Sequence, residues 1–189
     1  MSELPRLAVV IASTRPERIG PTIARWVHAG AQGRDDATVD LIDLADHDLP
    51  NLAEPEPASS GNYTRPGTKA WAELVAGYDG FVFVTPEYNR SIPGSLKNAL
   101  DYLYAEWNDK AAGIVCYGSS GGLRAAEQLK TTLSELQIAT VRAQVSVSIF
   151  DDMRDFTKLD LRDFQEKNLA EMLRQTARWA GALRPLRQG

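Results

Sequence analysis

GFVFVTPEYNRSIPGSLKNALDYL, residues 80–103, is the stretch whose reading decides the fold. It opens on GFVFV, a run that is apolar without alternation, and closes on Leu96, Leu100 and Leu103 at helical spacing. A continuous apolar run reads as a strand covered on both sheet faces, and the helix that follows supplies one of the covers. The connection between them holds two prolines, a carboxylate, an aromatic ring, an amide, an arginine and a serine. That is more chemistry than a turn requires.

The same strand-then-helix unit recurs on either side. Four further runs are LAVVIA (7–12), TVDLIDL (38–44), AGIVCYG (112–118) and TVRAQVSVSI (140–149). Helical faces accompany them: Ile23, Trp26 and Val27; Leu74 and Val75 after Pro66; Leu129, Leu133 and Leu136; Leu169, Met172, Leu173, Thr176 and Trp179. Gly30 falls on the first face and marks a weak point or an end of that helix. Thr157 followed by Asp160 is a capping pair for the last helix.

Strand alternating with helix five times predicts a parallel sheet wound on both sides, a three-layer α/β sandwich spanning residues 1–189 as one domain. The first, third and fourth runs are nearly all apolar and belong at the centre. The second and fifth alternate and belong at the edges. This is the flavodoxin-like order 2-1-3-4-5, in which ligands bind beyond the carboxyl ends of the strands, at the switch point between the first and third. Residues 45–66 carry four prolines and no periodicity. A loop of that length is either mobile or functional.

Composition narrows the field. The chain has 189 residues, 43% hydrophobic and 24% charged, with a formal net charge of −4. That balance disfavours a nucleic-acid surface or an anionic membrane as partner. The single cysteine, Cys116, cannot make an intramolecular disulfide, and no Cys/His set has zinc spacing. The opening MSELPRLAVVIAST has no signal-peptide core and no run is long enough for a membrane span, so a reducing, cytoplasmic setting is expected. His28 and His47 are the only histidines and read as surface residues. Cys116 lies in an apolar strand and reads as core.

Three loops converge at the carboxyl end of such a sheet. The first, residues 12–22, sets Ser13, Thr14 and Arg15 before Gly20, Pro21 and Thr22, where a helix starts. Hydroxyls and a guanidinium facing a helix N-terminus suit a phosphate; the plainer alternative is a surface loop that caps the helix. Without GxGxxG or a Gly-Lys-Ser/Thr sequence it is neither a dinucleotide nor a triphosphate loop, and a monophosphate fits best. The second loop runs from Pro86 through Glu87, Tyr88, Asn89 and Ser91 to Ile92, with Pro93 at the helix start and Ser91 or Ile92 as cap. Prolines at both ends hold a fixed edge of N–H and C=O groups for a planar heterocycle; the alternative is a capping loop with an exposed tyrosine. The third, Gly118, Ser119, Ser120 and Gly121, is either a close-approach loop for a ring or an ordinary tight turn.

In order and spacing, ASTRPERIG, TPEYNRSIPGSLKNALDYL and YGSSGG resemble the NADPH-dependent FMN reductase family, flavodoxin-like enzymes that include quinone and chromate reductases. The resemblance runs over most of the chain, and PEYN-x-S-x-PG-x-LKNA-x-D is its most specific part. It implies bound FMN, with NADPH or NADH as donor. Hydride passes from nicotinamide C4 to flavin N5, then electrons pass to a small acceptor in a ping-pong cycle. It implies that Ser13, Arg15 and the backbone from Gly20 to Thr22 hold the phosphate. Pro86, Glu87, Tyr88, Asn89, Ser91 and Ile92 would border the ring, and Gly118 to Gly121 would close its pyrimidine side. It also implies a homodimer or homotetramer, with Lys97, Asp101 and Tyr102 facing a second subunit. Ala12 departs from the Gly that the family often has there, and Arg90 stands where the family varies.

The implied chemistry requires no catalytic protein residue, in keeping with a sequence that offers no catalytic His or carboxylate candidate. Trp26 and Trp179 are expected to pack helices, and Trp107 to line the site or a subunit interface. The rivals are a flavodoxin-type electron carrier and a flavin-binding sensor. Neither would sustain NAD(P)H turnover on its own.

Overall fold

The strands that are apolar on both sides form the centre of the sheet. In the computed structural model, which describes residues 3–187, β1 (Arg6–Ile11), β2 (Thr38–Asp43), β3 (Gly80–Pro86), β4 (Lys110–Gly118) and β5 (Ile138–Ser148) run parallel in the order β2-β1-β3-β4-β5. All of β3 is buried, as are all but one residue each of β1 and β4, whereas β2 buries only Ile42 and β5 is buried over about half its length. Helices α1 (Gly20–Ala31), α2 (Pro66–Ala76), α3 (Gly94–Asp101), α4 (Leu123–Glu135) and α5 (Gln165–Leu183) connect and follow the strands.

Side-chain alternation splits the core into two layers. Ala8, Val10, Phe81, Phe83, Ile114 and Cys116 point to the side of α2, α3 and α4. Val9, Ile11, Val82, Val84, Val115 and Tyr117 point to the side of α1 and α5. Ile11 pairs with Val84, and Val84 with Val115, so the loops after β1, β3 and β4 emerge side by side.

Several expectations are corrected by packing. Trp107 lies in the core, 4.9 Å from the Phe81 ring with its Nε1–H donated to Leu100 O, so it lines neither site nor interface. Tyr102 is also buried, with its hydroxyl on Pro50 O, and cannot face a second subunit; Lys97 and Asp101 are exposed and paired with each other. Trp179 is 45% exposed because Ala177 and Ala180 take over the buried face of α5. Trp26 is half-buried and bonds Glu166. His28 and His47 are half-buried, the first on Val39 O and the second 5.2 Å from the Trp71 ring.

Thr157 and Asp160 do not cap the last helix. They belong to a hairpin of β6 (Met153–Arg154) and β7 (Lys158–Leu159), and Asp160 binds Arg154, while α5 starts at Gln165 without a side-chain cap. Pro93, rather than Ser91 or Ile92, occupies the N-cap of α3. Gly30 is the penultimate residue of α1, which ends at Ala31, and a Cβ there would come within 2.8 Å of Leu169 Cδ2, so the glycine also admits α5. The 45–66 loop contains only short 3-10 turns but is tied down. Asn98 Nδ2 donates to Leu49 O and Pro50 O, and the Glu54 carboxylate accepts from Thr64, Arg65 and Thr68.

Candidate functional site

The three loops enclose a cavity of about 420 Å³ at the carboxyl ends of β1, β3 and β4. Arg15, Glu17, Arg18 and Ile19 line it from the first loop, and Pro86, Glu87 and Tyr88 from the second. Tyr117, Gly118 and Ser119 come from β4 and the third loop, and Ile149 and Phe156 from beyond β5. Of the sequence-derived candidates, Arg15, Pro86, Glu87, Tyr88, Gly118 and Ser119 therefore meet in one place.

The first loop leaves α1 uncapped. Ile19 occupies the N-cap without a side-chain bond, and the first turn carries no acidic residue. The orphan N–H groups and the positive dipole end stay available to an anion. Ser13 is buried, and its Oγ is 2.8 Å from Tyr88 Oη, which ties the first loop to the second. Arg18 is held by Asp43 at 2.5 Å, while its buried Nε has no partner. Gly20 sits beneath Tyr117, and Pro21 and Thr22 form the first helical turn. Thr14 is placed elsewhere: it lines a separate cavity of about 310 Å³ with His47, Asp48 and Ser95.

The second loop is a miniature hairpin. Tyr88 N–H donates to Ser91 O at 2.9 Å and Ser91 N–H to Tyr88 O at 3.0 Å, with Asn89 and Arg90 both at positive φ. This is a two-residue I′-type turn, which usually carries Gly at its second central position. Asn89 and Arg90 therefore stand exposed at its tip, and Ile92 turns down into the core. Glu87 is not a free carboxylate: it accepts from the Arg124 N–H and guanidinium and so clamps the second loop to the start of α4.

In the third loop, Gly121 and Gly122 have positive φ, and a Cβ on Gly122 would lie 2.6 Å from Tyr117 N. Both glycines are required by the turn itself, with Ser146 Oγ donating to Gly121 O at 2.9 Å, while Ser119 and Ser120 are exposed. The tight-turn reading thus accounts for them without a ligand.

Tyr117 is the residue that sequence reasoning missed. It is 4% exposed, lines the cavity, and its hydroxyl has no hydrogen-bond partner among the described residues. A Cβ on Gly20 would lie 2.9 Å from that hydroxyl, so the glycine makes room for it. Burial pushes the phenol above its ordinary range and the charge of Tyr88 adds to this, against Arg15 and Arg18. It therefore stays protonated and can donate to an anionic oxygen. Its position at the end of an apolar run hid it, because parity sends it to the α1 side where Ser13 and Arg15 emerge. Cys116, one residue earlier, points the other way. Burial pushes its thiol up to about 12, which removes it from thiolate chemistry.

An uncapped helix start, two arginines, an unpartnered tyrosine hydroxyl and a rigid main-chain hairpin fit a group with a phosphate and a planar polar ring. Known proteins agree with that geometry. An NAD(P)H-dependent FMN reductase of Schizosaccharomyces pombe is 41% identical over 167 residues, covering 82% of this chain and 82% of the relative. A quinone reductase of Pseudomonas putida is 29% identical over 185 residues, covering 88% of this chain and 94% of the relative. Among solved structures, the flavoenzyme NAD(P)H:(acceptor) oxidoreductase FerB of Paracoccus denitrificans superposes with a TM-score of 0.72 at 20% identity, covering 95% of this chain and 98% of that one. A flavodoxin of Streptococcus pneumoniae shares the fold at a TM-score of 0.58 and 14% identity, covering 92% of this chain and 98% of that one. The family pattern described as NADPH-dependent FMN reductase matches residues 5–152, so the chain belongs to that family.

Proposed function

We propose that this protein is an FMN-dependent NAD(P)H oxidoreductase that passes electrons to a small-molecule acceptor by a ping-pong cycle at one site. The observation that carries the reading is the cavity at the switch point, where the free start of α1, Arg15, Arg18 and the unpartnered Tyr117 hydroxyl meet the Glu87–Ser91 hairpin. FMN, when bound, supplies the acceptance of a hydride from NAD(P)H and the return of electrons to the acceptor.

The protein's part is binding and orientation. Ser13, Arg15, Arg18 and Tyr117, with the N–H groups of the first turn of α1, would hold the phosphate. Hydroxyl and guanidinium donors there are aimed before the ligand arrives, because Asp43 holds Arg18 and Tyr88 holds Ser13. Main-chain groups from Pro86 to Ser91 and from Gly118 to Gly121 would border the ring. The clamp from Glu87 to Arg124 keeps these two loops at a constant separation. Asn89 and Ile92 then act through the shape of the hairpin rather than by contact. No protein group needs to exchange a proton with the substrate in this scheme.

The activity is assigned to the one domain of residues 1–189, acting as a homodimer or homotetramer in a cytoplasmic setting. The exposed Lys97–Asp101 pair on α3 is its candidate subunit contact. Among the described residues no helix is long and apolar enough to cross a membrane. The test is direct: purified protein is titrated with FMN by visible absorption, then assayed for NADPH and NADH oxidation with a quinone. Binding with steady turnover is expected. A protein without flavin affinity refutes the reading, and one that binds FMN without sustaining turnover is a carrier or sensor.

A further inference from the structure

The sheet has a second polar cavity at its opposite end. Asp79 immediately precedes β3 and Lys110 opens β4, so both stand at the amino-terminal edge of the sheet, away from the loops that carry the candidate site. With Glu106, Arg184 and Arg187 they line a space of about 270 Å³. Arg184 and Arg187 reach it from the 3-10 turn that follows α5.

Three cations face this space against two carboxylates, and both carboxylates are committed elsewhere. Asp79 accepts from Arg187 Nη2 and from Arg6 N, with Arg184 Nε 3.5 Å away. Glu106 accepts from Tyr63 Oη at 2.8 Å, and Arg184 also binds the exposed Glu3. Lys110 is left over. It is 2% exposed, and its Nζ donates at 2.7 Å to Val75 O, which carries no charge. Its other N–H groups have no partner among the described residues, nor do those of Arg187 that are not on Asp79 or Asp109 O. A buried ammonium without a counter-charge is costly. The cost is visible: burial and the Arg187 charge hold this group at about 7, against the pull of Asp79 and Glu106.

We propose that Lys110, Arg184 and Arg187 form a second anion site, which takes the dianionic head of a small phosphate ester or a free oxyanion of the same kind. The site shares no residue with the cavity at the switch point, so it stands independently of the flavin reading. A tetrahedral oxyanion accepts from an ammonium and a guanidinium at once and supplies the charge that neither carboxylate gives Lys110. An extended polyanion would meet Asp79 and Glu106 in the same space, which restricts the site to a compact head. Once bound, that head ties the starts of β3 and β4 to the turn after α5.

The experiment titrates the FMN-saturated full chain and its K110M variant with sodium sulfate by calorimetry at constant ionic strength. Bound FMN fills the phosphate loop, and general salt effects are shared by the two proteins. Saturable binding to wild type is expected, weakened about tenfold or more in K110M by the loss of a charged hydrogen-bond donor. Sulfate keeps its charge over roughly pH 6 to 9, so a pH effect comes from the protein. Wild-type affinity should be level below pH 7 and fall about tenfold or more by roughly pH 9 as the ammonium is lost, while K110M changes less than about twofold. Glycerol phosphate binding tighter than sulfate identifies an ester as the occupant, and equal affinity identifies a free oxyanion. No saturable binding to wild type, equal affinity in K110M, or a wild-type affinity that ignores pH overturns the proposal. If circular dichroism shows K110M unfolded, the wild-type pH series decides alone. A chain that binds no FMN refutes the oxidoreductase reading only, because the K110M comparison still subtracts sulfate held at the first loop.

Discussion

Replacing Lys110 with methionine tests the energetics at the end of the sheet remote from the candidate site. Lys110 is the one buried lysine among the described residues. Its Nζ donates to Val75 O at 2.7 Å and lies 5.5 Å from the Phe81 ring centroid, and no carboxylate pairs with it among the described residues. Asp79, Glu106, Arg184 and Arg187 line the same cavity of about 270 Å³. Burial, reinforced by the Arg187 charge, brings the ammonium from its ordinary 10.5 down to about 7, against the pull of Asp79 and Glu106.

A base whose folded pKa is depressed lowers stability most where both states are protonated, here below pH 7. As pH rises from there toward the unfolded pKa, the unfolded chain binds more protons than the folded one, and stability increases. Linkage puts that increase at up to about 3 kcal/mol between roughly pH 6.5 and 9.5. Methionine keeps the apolar stem and loses one hydrogen bond worth about 1 kcal/mol, a loss that is the same at both pH values. Urea denaturation of both proteins, at identical cofactor loading, should therefore show wild type gaining on K110M as pH rises. Groups that titrate in both proteins cancel. Equal pH dependence in the two would refute the claim that a charged Lys110 is penalised in the fold.

Other outcomes follow from the same geometry. Tyr117→Phe should weaken FMN binding by about tenfold or more, the value of a hydrogen bond to a charged group, while leaving the urea midpoint unchanged because the hydroxyl has no protein partner; fluorescence titration with FMN checks it. Gly122→Ala should cost about 3 kcal/mol or more by denaturation, since the new Cβ meets Tyr117 N at 2.6 Å, whereas Gly33→Ala at a similar φ meets nothing within 4 Å and should cost only about 1 kcal/mol. For Asp152, burial pushes the carboxyl up, but the Arg162 guanidinium and the Ser148 and Arg162 N–H groups outweigh it and hold its pKa below the usual range. Its contribution to stability is complete above the ordinary carboxylate range and is lost as pH falls through the depressed folded value. Asp152→Asn should consequently destabilise the protein at neutral pH and flatten its acid transition, as acid titration followed by circular dichroism would show.

Much of the fold was legible because burial on two faces leaves a short, continuous apolar run, and length and flanking residues separate it from a helix. GFVFV, LAVVIA and AGIVCYG read as central strands, and TVRAQVSVSI, with its Arg, Gln and Ser at every second place, read as an edge. From that order the switch point followed, and with it the three loops. Elements whose role depends on distant partners were not legible. Tyr102 and Trp107 sit at polar-looking ends of a helix, yet Pro50 and Phe81 draw them inside. Thr157 and Asp160 have capping spacing, yet a local hairpin claims them. Trp179 continues the helical spacing of Leu169, Met172, Leu173 and Thr176, but Ala177 and Ala180 hold the buried face of α5 there.

The candidate site divides along the same line. Residue types and spacing alone determined which loops meet at the carboxyl end of the sheet, because strand and helix periods dictate where the chain leaves the sheet. The tertiary structure decided which atoms are available there. Glu87 is spent on Arg124, Thr14 faces another cavity, and the glycines after β4 serve their own turn. Tyr117 and Phe156, unmarked by any motif, stand in the cavity wall. Availability depends on what approaches each side chain from elsewhere in the chain, and a one-dimensional pattern holds the periodicity of local structure but not the identity of those neighbours.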